Sequence, residues 1–541
     1  MKSSTLILII AVSIFLTSCG SSVPSPSPTF SVGGTISGLT GTGLVLQNNS
    51  GNNLTVSAGA TSFVFTAAIV SGGAYNVTVF SQPSNPSQTC VVTNATGPVA
   101  SGNISSVQVA CTTNSYTIGG TISGLTGMGL VLQNNGGNNL TFSAGATSFV
   151  FTTAIVSGDT YSVTVFSQPS NPSQTCVVTN ATGPVTNGNI SSVQVTCTST
   201  FVYVTNERDD SISAYSAATN GNLTALPTSP FRTGSSPEGL AVDPSGKFLY
   251  VANVVSSSVS GYSIASDGSL TQIPGSPFPA ASGAVSVTID PAGKFLYVPS
   301  CGANCSGSGT GGIAAFTISP GTGALTAVPG SPFTAGTFPY EMALYSPGGV
   351  SPSGPFAYVA NRGSNNISAF LVQSTGASLS VVSGSPFAAG TAPLALSVDA
   401  NPTFPRVFAV NTGSNNLSIF NIQNDGSLLL VSGSPIATGT FSGSTTLDAN
   451  QHLYVAGGSG VFAFTINTAL PSLIAGSPFA AGTGPSQVRI DPSGNFLYVV
   501  NAGSNTVSGF SVNSANGLLT VLPGSPFPAG NFPHYITFAT R

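Results

Sequence analysis

The sequence has very little charge and no tryptophan. Among 541 residues there are 9 Lys+Arg, 13 Asp+Glu and 2 His, so charged residues make up 4% of the chain, against roughly a quarter in ordinary globular proteins. Nucleic-acid recognition depends on Lys and Arg neutralising phosphates, and we therefore expect no nucleic-acid partner. So few charges also leave little material for acid–base catalysis. The lack of Trp argues against a carbohydrate site built on ring stacking.

Several motifs of familiar enzymes are missing as well. The chain contains no Gly-x-Ser-x-Gly elbow, no P-loop, no HExxH and no Cys-x-x-Cys. With only two His, a zinc site would lack its usual ligands. The sequence therefore predicts neither a cofactor nor a metal site.

The N-terminus has the features of an export signal. Met1 and Lys2 precede an apolar run from Leu6 to Leu16, which is too short to span a membrane as a helix. The next residues, Thr17-Ser18-Cys19-Gly20, complete a segment that resembles the lipobox of bacterial lipoproteins. That resemblance implies a signal peptide over 1–18, a lipid on Cys19 and, since Gly follows the Cys, sorting to the outer membrane. The Ser/Pro-rich residues 19–30 predict a semi-extended tether, so we expect a lipid-anchored cell-envelope protein whose first partner is the membrane.

Two nearly identical segments follow the tether. Residues 33–113 and 119–199 align without gaps, and 70 of their 81 positions agree. Each contains about seven short runs rich in Val, Thr, Phe and Tyr, separated by Gly, Asn, Ser and Pro, which is typical of strands joined by tight turns. This pattern predicts two immunoglobulin-like β-sandwich repeats, at 31–115 and 116–200. The units resemble a repeat common in exported bacterial proteins, which implies a module with no chemistry of its own. A stalk is the favoured role, and adhesion through the polar loops is the alternative.

The six cysteines after Cys19 predict disulfides, since an even number in an exported chain indicates paired thiols. The two repeats each hold a pair 21 positions apart, and one further pair lies close together in a long loop. The predicted disulfides are Cys90–Cys111, Cys176–Cys197 and Cys301–Cys305.

A second periodicity occupies residues 201–541. Seven strand-like anchors such as FLYVAN place an aromatic residue every 44 to 61 positions, and Ser-Pro-Phe or Ser-Pro-Ile recurs seven times. Periods of this size built from four short strands indicate a β-propeller, here with seven blades. The first unit lacks an inner strand before Phe201, so residues 533–540 are predicted to pair with 201–229 and to close the ring. The whole chain is therefore expected to be all-β.

The motif D-P-x-G-K-F-L-Y-V-x-N, present at 243–253 and in part at 290–299, resembles the YVTN-type propeller. It also resembles the seven-bladed lactonase family, which includes bacterial phosphogluconolactonase. The likeness covers 201–541 and implies a polar site beside the channel where the inner strands begin. The motif residues themselves are scaffold and carry no activity.

Charged residues that break the repeat are the candidate site. Glu238, Glu341 and His534 are the candidate catalytic residues, because a carboxylate and a His across a channel can activate water and protonate a leaving alkoxide. Pro533-His534 resembles the Pro-Arg-His element of lactonases, although the intervening Arg is absent here. The candidate binding residues, suited to a carboxylate, a phosphate or a developing oxyanion, are Arg232, Arg362 and Arg489.

Two functions that sequence can separate remain open at this point, and a third, a purely structural envelope component, cannot be separated from the first of them by sequence. The favoured interpretation is a display or binding module that holds a protein, glycan or small molecule on one propeller face. Its support is the low charge and the missing family residue beside His534. The alternative is a lactone hydrolase that uses His534 with Glu238 or Glu341, and Arg489 for charge stabilisation. A test is geometric: in the hydrolase, the side chains of Glu238, Glu341 and His534 converge on the channel mouth.

Overall fold

The computed structural model describes residues 25–170, 172–302, 305, 310–347, 355–373, 377–437, 439–458 and 460–541. The predicted signal peptide and the lipidation site Cys19 lie outside these residues. The described chain is all-β, and Glu207–Asp209 forms a single 3₁₀ turn. None of the described segments forms a helix long and apolar enough to cross a bilayer.

The first repeat folds as two four-stranded sheets that share one core. Apolar side chains alternate along its strands, and those facing inward, such as Leu44, Leu46 and Val107, are fully buried. Thr29 and Phe30, which the sequence placed in the tether, pair with Ile69–Val70. The strands are Thr29–Phe30, Val32–Ser37, Leu44–Asn48, Asn52–Val56, Ser62–Val64, Ile69–Val70, Ala74–Ser81, Gln88–Thr93, Thr96–Pro98 and Ile104–Thr113.

The second repeat has the same strand order in its sheets. In each repeat the described strands outnumber the seven predicted, because two four-stranded sheets and one short two-stranded pair together hold ten strands. The immunoglobulin-like assignment stays a prediction. The strands are Ser115–Tyr116, Ile118–Ser123, Leu130–Asn134, Asn138–Phe142, Ser148–Val150, Ile155–Val156, Thr160–Ser167, Thr175–Thr179, Thr182–Pro184 and Ile190–Thr198.

All three predicted disulfides are present. Cys90 is bonded to Cys111 and Cys176 to Cys197, in each case between paired strands at the end of the repeat. The third joins Cys301 to Cys305. Each sandwich is therefore cross-linked within itself, which restricts the unfolded chain of that repeat.

Residues 200–541 form seven five-stranded sheets around a channel. The inner strands are Pro237–Val242, Thr288–Ile289, Pro339–Tyr345, Pro393–Asp399, Phe441–Leu447, Pro485–Ile490 and Pro533–Thr540. The second strands are Thr200–Asn206, Phe248–Asn253, Phe295–Ser300, Phe356–Asn361, Arg406–Asn411, His452–Gly457 and Phe496–Asn501. The third strands are Ser211–Ala217, Ser258–Ile264, Thr310–Ile318, Asn366–Val372, Asn416–Ile422, Gly460–Thr465 and Thr506–Val512.

Two short strands complete each sheet on its outer side. The fourth strands are Leu223–Ala225, Leu270–Gln272, Leu325–Ala327, Leu379–Val381, Leu428–Leu430, Ser472–Leu473 and Leu519–Val521. The fifth strands, which also pair with the third, are Phe231–Arg232, Phe278–Pro279, Phe333–Thr337, Phe387–Ala388, Ile436–Ala437, Phe479–Ala480 and Phe527–Pro528.

The two ends of this region share one sheet, as the sequence predicted. Pro533–Thr540 pairs antiparallel with Thr200–Asn206, and it also contacts the neighbouring inner strands Pro485–Ile490 and Pro237–Val242. The last strand of the chain thereby covers an edge that would otherwise be left unpaired.

The repeated residues hold the sheets together. The aromatic anchor of the second strand is fully buried, and in five sheets its tyrosine hydroxyl donates to a glycine carbonyl of the next sheet, as from Tyr203 to Gly268 at 2.7 Å. Gly268 has a positive φ of 83°, and a Cβ there would overlap the Phe201 ring. The serine of each Ser-Pro marker accepts a third-strand N–H, as Ser229 does from Ala214 at 2.9 Å. The repeat is therefore structural.

The recurrent Asp and Asn are structural too. Asp243 accepts the N–H groups of Ser245 and Phe248 and so caps its turn. Asn253, which ends the second strand, donates to Ser258 and Ser260 within its own sheet.

Candidate functional site

The side chains at the channel mouth come from the same position, the second residue, of the inner strands in different sheets. The first residue of the inner strand pairs with the end of the second strand, for example Pro237 with Asn253 and Pro533 with Asn206. The residue that follows therefore lies at the same level in every sheet. In five of the sheets it is Glu238, Tyr340, Leu394, Ser486 and His534. Strand register thus brings residues that are distant in sequence to one end of the channel.

Glu238 is the centre of the polar contacts at this end. The Tyr340 hydroxyl donates to Glu238 Oε2 at 3.0 Å, although Tyr340 belongs to the sheet two places away. One ligand-type atom from each of Glu207, Glu238 and His534 lies within 4.8 Å of the other two. Two of the three predicted catalytic residues are therefore adjacent. This spacing could also seat a metal ion, which the sequence did not predict.

Hydrogen bonds to main-chain groups fix the backbone positions of Glu238 and His534. The Thr205 hydroxyl donates to the Glu238 carbonyl at 2.7 Å and accepts the Tyr535 N–H at 3.0 Å. The Ser486 hydroxyl donates to the His534 carbonyl at 3.0 Å. These bonds link the inner strands of three neighbouring sheets, so the relative positions of Glu238 and His534 are set by the fold.

A cavity of about 190 Å³ opens beside His534. This volume is below the range of about 300–1,000 Å³ that is usual for drug-sized ligands, so the cavity suits a smaller molecule. The residues that line it combine acidic, basic and hydroxyl groups with an apolar floor. They are Tyr340, Glu341, Arg362, Leu394, Ala395, Ser444, Ser486, His534 and Tyr535.

The surroundings push the ionisable groups toward their neutral forms. Burial, reinforced by the charge of Glu207, raises the pKa of Glu238 to about 8, against smaller opposing effects of Tyr340 and Arg362. Burial lowers the pKa of His534, with Glu207 acting in the opposite direction. At neutral pH, Glu238 therefore holds a proton while the imidazole can accept one. Two neighbouring groups with pKa values displaced in this way are typical of an acid–base pair.

His534 also has an unused hydrogen-bonding atom. Its Nδ1 is buried and has no hydrogen-bond partner, and its ring lies 5.3 Å from the Tyr535 ring, centroid to centroid. A buried polar atom without a partner is unfavourable in a core. At a binding site, a substrate or a water molecule can supply the missing hydrogen bond.

Glu341 lies between this cavity and a second one. It lines the mouth cavity, and it also lines a larger chamber of about 640 Å³ further along the channel. Glu341 Oε2 accepts the Leu396 N–H at 3.4 Å, and burial raises its pKa to about 7 against the opposing charge of Arg489. Of the two predicted carboxylates, Glu238 rather than Glu341 is the one placed within 4.8 Å of the imidazole.

The three predicted arginines have separate locations. Arg362 lines the mouth cavity, with its guanidinium carbon 5.3 Å from the centre of the Phe338 ring. Arg489 lines the deeper chamber and is absent from the mouth lining. Arg232 is exposed in a short outer strand, away from both lining sets. Arg362 is thus the predicted arginine that the fold brings to His534.

Sequence reasoning missed Tyr340, Glu207 and Tyr535. Tyr340 was overlooked because aromatic residues are frequent in the repeat, although its register position equals that of Glu238 and His534. Glu207 belongs to the charged segment 207–210, which directly follows the second strand Thr200–Asn206. Its neighbour Asp210 does have a loop role, since it accepts the Ser236 N–H at 2.8 Å.

The family model for the seven-bladed β-propeller lactonases matches residues 104–350, 346–441 and 449–538, together about four-fifths of the sequence. This chain belongs to the lactonase family of seven-bladed β-propellers. The matched segments include Glu207, Glu238, Tyr340, Arg362 and His534. No curated protein sequence matches the chain.

Solved structures resemble this lactonase-family propeller in fold. A protein from Bacteroides fragilis described as a candidate 6-phosphogluconolactonase has a TM-score of 0.52 and 19% identity, over 63% of this chain and 98% of that one. The periplasmic gluconolactonase of Pseudomonas aeruginosa has a TM-score of 0.52 and 17% identity, over 63% and 99%. At these identities the likeness concerns the fold alone.

Of the two functions predicted from sequence, these findings favour the lactone hydrolase. The binding-module interpretation, which the sequence analysis favoured, is not supported. The geometric test set for the hydrolase is met in part: Glu238 and His534 are adjacent and Glu341 lines the same cavity as His534, whereas Arg489 is elsewhere.

Proposed function

We propose that this protein is a lactone hydrolase whose active site is the channel mouth. The observation that carries the proposal is the adjacency of Glu238 and His534, with pKa values displaced in opposite directions, in a cavity that Arg362 also lines. Membership of the lactonase family supports it.

The first step would be attack by water on the lactone carbonyl. Neutral His534 accepts one water proton as the new carbon–oxygen bond forms. The carbonyl electron pair moves onto oxygen, and the Arg362 guanidinium stabilises the resulting oxyanion. Arg362 replaces Arg489 in this role, because Arg489 does not line the mouth cavity.

The second step would open the ring. The tetrahedral intermediate reforms its carbonyl and breaks the bond to the ring oxygen, which takes the proton held by Glu238. The Tyr340 hydroxyl donates to Oε2 of this carboxyl group, so the other oxygen is free to carry that proton. The imidazolium then returns a proton to Glu238, directly or through water. Water and lactone are thereby converted to a hydroxy acid, and the side chains are restored.

Proton release from a hexono-δ-lactone tests the proposal with the full chain and three variants. We expect His534→Gln to lower kcat/KM by about 10²- to 10⁴-fold, the range for loss of a general base. Arg362→Met should also lower it, whereas the matched variant Arg232→Met should not, because Arg232 is exposed on an outer strand. Wild-type hydrolysis no faster than the background, or unchanged activity of His534→Gln, would refute the assignment.

We also infer that the propeller is displayed on the cell envelope. Cys19 would carry the lipid, residues 20–28 would form the tether, and the two sandwiches, read as immunoglobulin-like repeats, would act as a stalk. The predicted export signal and the disulfides support this arrangement. Loss of membrane association in Cys19→Ser is the result we expect from cell fractionation.

A further inference from the structure

A second ring of equivalent positions lies deeper in the channel than the mouth. In each sheet one inner-strand residue pairs with the central aromatic anchor of the second strand, as Arg489 pairs with Tyr498 and Ser397 with Phe408. These residues are Ala241, Thr288, Ala343, Ser397, Thr446, Arg489 and Thr537. All seven line the chamber of about 640 Å³. One level of the channel is therefore surrounded by four hydroxyl groups, two methyl groups and one guanidinium.

Arg489 has no direct partner at this level. Its side chain is exposed to the chamber, and within the described part of the chain it makes no hydrogen bond and no ion pair. The hydroxyls of Ser397, Thr446 and Thr537 likewise make no hydrogen bond to the described residues. An arginine and three hydroxyls therefore face the chamber with their hydrogen-bonding capacity unused.

The acidic groups near Arg489 are engaged elsewhere. Asp491 lines the chamber, but its carboxylate accepts the N–H groups of Ser493 and Phe496 and the Ser493 hydroxyl. Glu341 influences Arg489 electrostatically but is not in ion-pair contact with it, and its Oε2 accepts the Leu396 N–H. Among the described residues that line the chamber, Arg489 is the one cation.

We propose that this chamber is a second binding site, for a small hydroxylated carboxylate. The Arg489 guanidinium would hold the carboxylate through two parallel hydrogen bonds, a geometry that suits this pair of groups. The hydroxyls of the ring would bind hydroxyl groups of the ligand, and the two alanines leave room for its carbon chain. A volume of about 640 Å³ lies within the usual range for small-molecule sites.

The proposal goes beyond lactone hydrolysis, because it concerns other residues and is tested without turnover. Only the identity of the natural ligand rests on the proposed function. Opening a sugar lactone yields a hydroxylated carboxylate, so this chamber would take the product class of the mouth site.

Calorimetric titration of the full chain with D-gluconate tests the site. Sorbitol, which lacks the carboxylate, and acetate, which lacks the hydroxyls, are the comparison ligands. We expect gluconate to bind at least tenfold more tightly than either, and Arg489→Met to weaken gluconate binding at least tenfold. Arg362→Met separates the two sites, since it alters the mouth and leaves the chamber intact. Arg232→Met is the matched surface control.

Three results would overturn the inference. Gluconate binding that survives in Arg489→Met but is lost in Arg362→Met would place the anion at the mouth. Equal binding of gluconate and acetate would show that the hydroxyl ring does not recognise the ligand. No gluconate binding by the wild-type chain would remove the site altogether. Arg489→Gln serves as a second variant at this position. The melting temperature of each variant is measured to show that a loss of binding does not result from a loss of folding.

Discussion

Glu238 has two neighbours that should move the pH dependence of hydrolysis in opposite directions. Removing the Tyr340 hydroxyl by Tyr340→Phe takes away a hydrogen bond to the ionised carboxylate, so the Glu238 pKa rises. Glu207→Gln removes a nearby negative charge, so the Glu238 pKa falls. Since the protonated carboxyl is the proposed acid, activity is lost as pH rises through this pKa. The alkaline limb of the pH profile should thus move to higher pH in Tyr340→Phe and to lower pH in Glu207→Gln.

The size of each shift follows from the geometry. A hydrogen bond to a charged group contributes about 1.5–3 kcal/mol, and about 1.4 kcal/mol corresponds to one pKa unit, so Tyr340→Phe should raise the limb by about one to two units. The two carboxylates lie within 4.8 Å of each other, and two unit charges at that limit interact by about 3.5 kcal/mol at an effective dielectric constant of about 20. Water in the channel mouth screens this interaction, and we expect a downward shift of about one unit in Glu207→Gln.

The assay is kcat/KM for lactone hydrolysis between pH 6 and 10, after subtraction of the uncatalysed rate. The wild-type limb should lie near the Glu238 pKa of about 8. Tyr345→Phe, at the far end of the same inner strand as Tyr340, is the matched control and should leave the profile unchanged. If both active-site variants retain activity and their limbs move in the same direction, or not at all, Glu238 is not the acid.

Two further predictions concern stability. Arg406→Met breaks the buried Arg406–Asp399 pair, whose atoms are 3.0 Å apart, and should lower the free energy of unfolding by about 3–5 kcal/mol in urea denaturation; unchanged stability would show that the pair is not needed. Replacing both Cys90 and Cys111 with Ala should destabilise the first sandwich by about 3 kcal/mol. The rate of lactone hydrolysis should stay at the wild-type value. A loss of activity in this double variant would contradict the independence of the sandwich and the active site.

The periodicity of the chain made most of the fold predictable. Aromatic anchors and Ser-Pro markers recur because each sheet repeats the same burial and hydrogen-bonding pattern, as the Tyr203–Gly268 and Ser229–Ala214 contacts show. The same regularity made departures informative. Glu238 and His534 interrupt positions that are otherwise uncharged, and they were found for that reason.

The arrangement within the channel was harder to predict. Arg489 and Ser486 lie three residues apart on one strand, which corresponds to a separation of about 10 Å along the channel. That difference moves Arg489 from the mouth to the deeper chamber. The Tyr340 hydroxyl bonds to Glu238 although another sheet lies between theirs in chain order. The position of Glu207 beside His534 depends on the pairing of Thr200–Asn206 with Pro533–Thr540. These contacts are set by three-dimensional packing rather than by any local pattern.

The shared sheet has a consequence for how the protein matures. Glu207 follows the first strand of the propeller region, whereas His534 lies in Pro533–Thr540, the last strand of the chain. A chain that emerges with its N-terminus leading can fold both sandwiches early, but it cannot assemble the channel mouth until residues 533–540 have emerged. A product clipped before Pro533 would lose His534 and one edge of that sheet together. Activity at the mouth would therefore report that the chain had been made at least as far as His534.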